Sequence, residues 1–159
     1  MQRQLATSIR SNGEADMAKM IFVNLPVADL ETSVGFYTAL GFEKNEMFSN
    51  EQAASMMWSD TIHVMLLTHP FWKTFTSKDI PDAHRSAQVL LCLSRDSKTE
   101  VDSIVDDATA AGGVADPTPT QDFGFMYGRS FEDPDGHIWE VMWMDQQAAA
   151  EGPPAEAIA

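Results

Sequence analysis

From residue 20 the chain reads Met20-Ile21-Phe22-Val23-Asn24-Leu25-Pro26-Val27. In an extended strand Ile21, Val23, Leu25 and Val27 fall on one side, and Phe22 and Asn24 on the other. Asp29 then offers a helix cap, Leu30, Val34, Tyr37 and Leu40 recur at helical spacing, and Gly41 suits a left-handed stop. The pattern predicts a helix near 29–40 packed on the Ile21/Val23/Leu25 side of the strand. Short β-like runs follow at about 43–48, 52–59 and 61–68, broken by Ser49-Asn50 and Ser59-Asp60. The first half therefore reads βαβββ.

The same order returns. An apolar strand is expected at 87–94, then a helix near 97–111 that opens on the capping box Ser97-Lys98-Thr99-Glu100 and stops at Gly112-Gly113, then strands near 123–132 and 137–144. Laying Asp29 on Asp96 also lays Phe22 on Val89 and Tyr37 on Ile104, and a slightly longer shift lays His63 on His137 and Leu66 on Glu140. The chain thus divides into a polar N-terminal tail, 1–18, a single domain, 19–145, and a C-terminal tail, 146–159. Within the domain the halves are about 20–68 and 86–144, joined by a linker, 69–85. The fold class is α+β, with tandem βαβββ modules that form a curved mixed sheet, a partial barrel, around a pocket.

Charge narrows the partners. Lys plus Arg is 10 against 24 for Asp plus Glu, and the net charge of −14 opposes nucleic acid and anionic membrane surfaces. No stretch is apolar enough for a membrane span or a secretory leader, so a cytoplasmic location is expected. The single cysteine, Cys92, lies in the apolar run 89–93 and reads as a small buried thiol.

Two segments carry a resemblance. Val27-Ala28-Asp29-Leu30, with Ser33, Phe36-Tyr37 and Leu40-Gly41-Phe42, is similar to the opening of vicinal oxygen chelate proteins, the glyoxalase, bleomycin resistance and dioxygenase superfamily. Asp133-Pro134-Asp135-Gly136, followed by Glu140, resembles their closing motif. Pro134 and Gly136 have a local reason, since they reverse the chain into the last strand. The resemblance implies a pocket enclosed by the sheet and, in the enzymes, a divalent metal held by His, Gln or Glu from the first and last strands of each half. The matching positions are Phe22, Leu66, Val89 and Glu140, of which Glu140 alone can bind a metal. No cofactor is therefore expected. A divalent metal on a rebuilt set of Glu140, His63, His69 and Gln88 is the alternative.

Alternation places Ile138, Glu140 and Met142 toward the pocket, and Trp139, Val141 and Trp143 toward the helices. Glu140 reads either as a general acid or base whose pKa burial would raise, or as a carboxylate tied to Arg129 or a backbone amide. Shared parity brings Tyr127 and Arg129 beside it as ligand-binding groups. Phe22, Asn24, Leu66 and Val89 line the same pocket, while Phe71, Trp72 and Phe75 are too apolar for a plain linker and cover the pocket or a homodimer seam. The expected function is small-molecule binding, with lyase or isomerase chemistry at Glu140 if the protein is an enzyme. The alternatives are a non-catalytic protein that sequesters a drug or metabolite, and a metal-dependent enzyme like lactoylglutathione lyase with rebuilt ligands.

Overall fold

The structure, a computed structural model, describes residues 18–157, so the expectation for the N-terminal tail lies almost wholly outside the described residues. The first half comprises β1 (Ile21–Val27), α1 (Leu30–Ala39), β2 (Glu43–Asn45), a 3-10 turn (Glu46–Phe48), β3 (Ala53–Met57) and β4 (Ile62–Thr68). Its sheet runs β1-β4-β3-β2, with β1 parallel to β4. A short helix α2 (His69–Trp72) leads into the linker. The second half comprises β5 (Leu91–Ser94), α3 (Lys98–Ala110), β6 (Val114–Ala115), β7 (Gln121–Asp122), β8 (Met126–Glu132) and β9 (Ile138–Met144). Its sheet runs β5-β9-β8-β6, with β7 on β8 and β5 parallel to β9. Together they form a mixed α+β architecture of two curved sheets, without a closed barrel. The stretch after Asp145 carries a further helix, α4 (Gln146–Glu151), capped by the Asp145 carboxylate. Among the described residues no helix is long and apolar enough to cross a membrane.

Each long helix starts where a side chain captures a free amide. Asp29 accepts from the Thr32 N–H, and the Ser97 hydroxyl accepts from the Glu100 N–H, while the Glu100 carboxylate accepts from the Asp96 N–H. With Asp29 and Ser97 as equivalent caps, the buried face of α1, Ser33, Phe36, Tyr37 and Leu40, superposes on Val101, Ile104, Val105 and Ala108 of α3. The internal repeat is thus one residue longer than the match of Asp29 to Asp96. Strand register says the same, since Leu25 pairs with Leu66 where Leu93 pairs with Val141. The first-half counterpart of Glu140 is then Met65 rather than Leu66, and the counterpart of Phe22 is Leu90 rather than Val89. A shift of one residue exchanges the faces of a strand. Accordingly Leu66 is fully buried against α1, whereas Val89 precedes β5 and is 60% exposed.

The halves are joined through α1. The Tyr37 hydroxyl donates to Asp133 at 2.6 Å and accepts from the Trp139 indole at 3.0 Å, and all three residues are buried. Asp133 also accepts from the backbone N–H groups of Asp135 and His137. Around this node Asp135 accepts from Ala28 N–H and Ser33, and a ring nitrogen of His137 lies 2.9 Å from the Pro26 carbonyl. Phe36 packs on Phe131, so one core spans both sheets. Gly113 closes the packing, because a side chain there would collide with the Glu132 carbonyl and the Phe36 ring.

Burial and then the Asp133 charge hold the Tyr37 pKa well above the ordinary 10.0. A folded pKa above the unfolded one gives stability that is complete below pH 10 and declines as pH rises beyond it. Tyr37→Phe is expected to cost about 2 kcal/mol at pH 7, by stranding Asp133 and Trp139. It should also flatten the alkaline decline, and urea unfolding compared at neutral and alkaline pH checks both effects.

Candidate functional site

In β9, Trp139 and Val141 enter the core and Trp143 packs beside it, so Ile138, Glu140 and Met142 take the far face of the sheet, away from α3. Strand pairing places Cys92 of β5 on one side of Glu140 and Ser130 of β8 on the other. A cavity of about 140 Å³ opens on this face, with Thr118, Gln121, Met126 and Met142 among its walls. The Ser130 hydroxyl is fully engaged by Thr118, accepting from its N–H and hydroxyl. Glu140 is half-buried, and among the described residues its carboxylate has no hydrogen-bond or ion-pair partner.

Its negative charge is nevertheless felt. The Cys92 thiol is pushed up in pKa first by partial burial and then by the Glu140 carboxylate. Cys92 is accessible on the edge strand, not enclosed in the core as its apolar run implied. Sequence reasoning missed it as a site residue. The signal was present in its alternation with Leu93, whose inward direction turns Cys92 outward.

Tyr127 and Arg129 make no bond to Glu140, although Arg129 borders the same cavity. Ser130 pairs with Glu140 and Arg129 with Val141, so parity carries both side chains to the helix face. There the Tyr127 hydroxyl donates to Asp102 at 2.8 Å. Arg129 donates to Asp102 at 3.0 Å and grips both oxygens of Asp116 at 3.1 and 2.8 Å. The Asp116 partnership raises the Arg129 pKa further and lowers that of Asp116. The proposed tie between Glu140 and Arg129 is therefore not formed. On the far face of the second sheet the strand positions carry Glu132 and Glu140 and no Lys or Arg.

The other candidates separate. Asn24, Trp72, Gln88 and Val89 line a second cavity of about 170 Å³ between the halves. Phe22 is 54% exposed and stacks on His63 at 4.8 Å. His63 is buried on the far face of the first sheet, with Nε2 3.2 Å from the Asp60 carbonyl. His69 faces a third, polar cleft beside Lys73, His84 and Asp135. Phe71 packs edge-on to Phe75, which is 66% exposed.

These placements test the metal set. Carried onto the observed strand register, the resemblance puts the four metal positions at Phe22, Met65, Leu90 and Glu140, which supply one hard donor. The rebuilt set of His63, His69, Gln88 and Glu140 is distributed over four separate surroundings. Among the described residues no three His, Cys, Asp or Glu side chains converge on a metal position. The residues present do not fit the family's metal.

A family model described as the Glyoxalase/Bleomycin resistance protein/Dioxygenase superfamily matches residues 19–141. Among solved structures, a hypothetical protein from S. aureus is 28% identical, with a TM-score of 0.67 over 80% of this chain and 95% of that one. A glyoxalase/bleomycin resistance protein/dioxygenase family enzyme from Burkholderia phytofirmans PsJN is 20% identical, with a TM-score of 0.65 over 80% and 99% of the two chains. The fosfomycin resistance protein FosX from Listeria monocytogenes is 16% identical, with a TM-score of 0.57 over 80% and 92%. At these last two identities the likeness is one of fold. Comparison with curated proteins finds no match.

Two measurements check the site. Replacing Glu140 by Gln is expected to lower the Cys92 pKa and to quicken its alkylation near pH 8, and an unchanged rate would separate the two side chains. Elemental analysis of the purified protein is expected to find zinc, nickel and iron well below one per chain.

Proposed function

Because this chain belongs to the Glyoxalase/Bleomycin resistance protein/Dioxygenase superfamily, we propose that it binds a small molecule on the far face of its second sheet, and that the molecule is an organic cation held without covalent chemistry. The observation that carries this reading is the half-buried Glu140 carboxylate, unpaired among the described residues, in a cavity walled by the thioethers of Met126 and Met142. A carboxylate withdrawn from water gains most from an incoming positive donor. Thioethers offer polarizable, adaptable contact to an apolar body. Arg129 borders the cavity, but its guanidinium is held by Asp102 and Asp116 and makes no bond to the Glu140 carboxylate. The net charge of −14 attracts cations at long range.

A second copy of the chain belongs to this reading. Ile21 and Phe22 in the first half, and Val89 and Leu90 in the second, are each at least half exposed, an apolar area suited to a homodimer seam. Proton transfer by Glu140, in a lyase or isomerase, is the second reading. It is favoured by the same unpaired carboxylate, which has the freedom a general base needs.

Calorimetric titration with a benzylammonium salt tests the first reading. Saturable binding is expected, weakened by added salt and reduced about tenfold or more by Glu140→Gln, the scale of one charge-assisted hydrogen bond. Binding indifferent to that substitution would remove Glu140 from the site. Light scattering is expected to give the mass of two chains, and Phe22→Glu to shift it toward one.

A further inference from the structure

The geometry points to a second small-molecule site, separate from Glu140, in the cavity between the halves: a pocket for an uncharged one-ring aromatic compound bearing an amide or carbonyl group. One wall comes from the edge of β1, at Asn24 and Pro26, and the other from Leu91 and Ile138 of the second sheet. Trp72 and the linker stretch through Ala87 and Gln88 form the roof. In a chain of net charge −14, no Asp, Glu, Lys or Arg lines this cavity. His137, the one ionisable side chain of the lining, is engaged by the Pro26 carbonyl at 2.9 Å, so a charged ligand would lose hydration there without meeting an opposite charge.

Size sets the class of ligand. The cavity holds about 170 Å³, and an apolar cavity of about 150 Å³ accommodates benzene. Chemistry then adds one polar edge. The Asn24 and Gln88 amides both line the space, and neither has a hydrogen-bond partner among the described residues. An amide side chain both donates and accepts, so the pair matches a carboxamide or similar group. Trp72 supplies an aromatic surface for the ring.

The roof is built to move. Among the described residues no hydrogen bond or ion pair ties residues 76–90 to the rest of the chain, since His84, Arg85 and Ser86 bond only to Asp82. It is seated instead by a close approach to Gly136, where an added Cβ would lie 2.6 Å from the His84 nitrogen and 2.8 Å from the Ala83 carbonyl carbon. Segments held by few bonds open at low free-energy cost, which gives the ligand an entry route.

Titration of the isotope-labelled protein with benzamide, followed by amide NMR, tests the proposal. Saturable shifts are expected at the Trp72 indole and the Gln88 side chain, with no shift at Cys92. Gln88→Leu should weaken binding about tenfold, and Ala87→Trp, which fills the space from an exposed position, should abolish it while the spectrum stays folded. Gly136→Ala, which unseats the roof, should also weaken it. Glu140→Gln should leave benzamide binding unchanged, and benzylammonium should not compete, so the two sites succeed or fail separately. Absence of saturation, shifts centred on Cys92, or binding indifferent to both Gln88→Leu and Ala87→Trp would overturn the proposal.

Discussion

The contact on which the architecture depends is the buried hydrogen-bonded chain from Trp139 through Tyr37 to Asp133. Each half is a sheet with one long helix, and either could bury its own helix alone. What fixes the halves relative to one another is a phenol from α1 inserted between the indole of β9 and the carboxylate that begins the final turn. Burying a carboxylate is costly, and burial does raise the Asp133 pKa. Three donors at 2.6 to 3.0 Å offset that cost and make the position specific. Once this node is set, Asp135 meets Ala28 and Ser33, Gly136 meets the linker, and the seam cavity acquires its walls.

Much of this was legible in the residues and some was not. The elements followed from local chemistry: caps at Asp29 and Ser97, stops at Gly41 and Gly112, and period-two alternation that turns Trp139 and Val141 inward and Glu140 outward. The repeat was legible in order but one residue short in register, because Asp96 and Ser97 are both good caps and only the burial of Val101 and Ile104 decides between them. That single residue moved Leu66 from pocket to core and replaced Val89 by Leu90. Tyr127 and Arg129 illustrate the same limit. Their parity within β8 was right, but its relation to β9 depends on the turn at Asp133-Gly136, and sequence alone does not fix that register. The role of Asp133 and Asp135 in joining the halves left no local trace, since their partners lie about a hundred positions away.

Charge placement divides the second sheet into two chemically different surfaces. On the helix face, Arg129 is consumed by Asp102 and Asp116, and Lys98 lies over Tyr127 and Trp143 and reaches Asp122. On the far face the strands present carboxylates, a thiol and thioethers. The cations are thus used to fasten α3 and β7 to the sheet, and among the described residues Glu132 and Glu140 of the cavity side have no ion-pair partner.

The Tyr37–Asp133 bond also has a temporal side. Its two ends are 96 positions apart, so the bond that locks α1 is among the last the chain can close. During synthesis α1 can settle on β3 and β4 of its own half, but the edge of Phe36 and Tyr37 that packs on Phe131 and Trp139 stays uncovered until those residues leave the ribosome. Until then that edge is an apolar surface open to non-native contacts. The final turn is therefore the step that ends the vulnerable period of biogenesis.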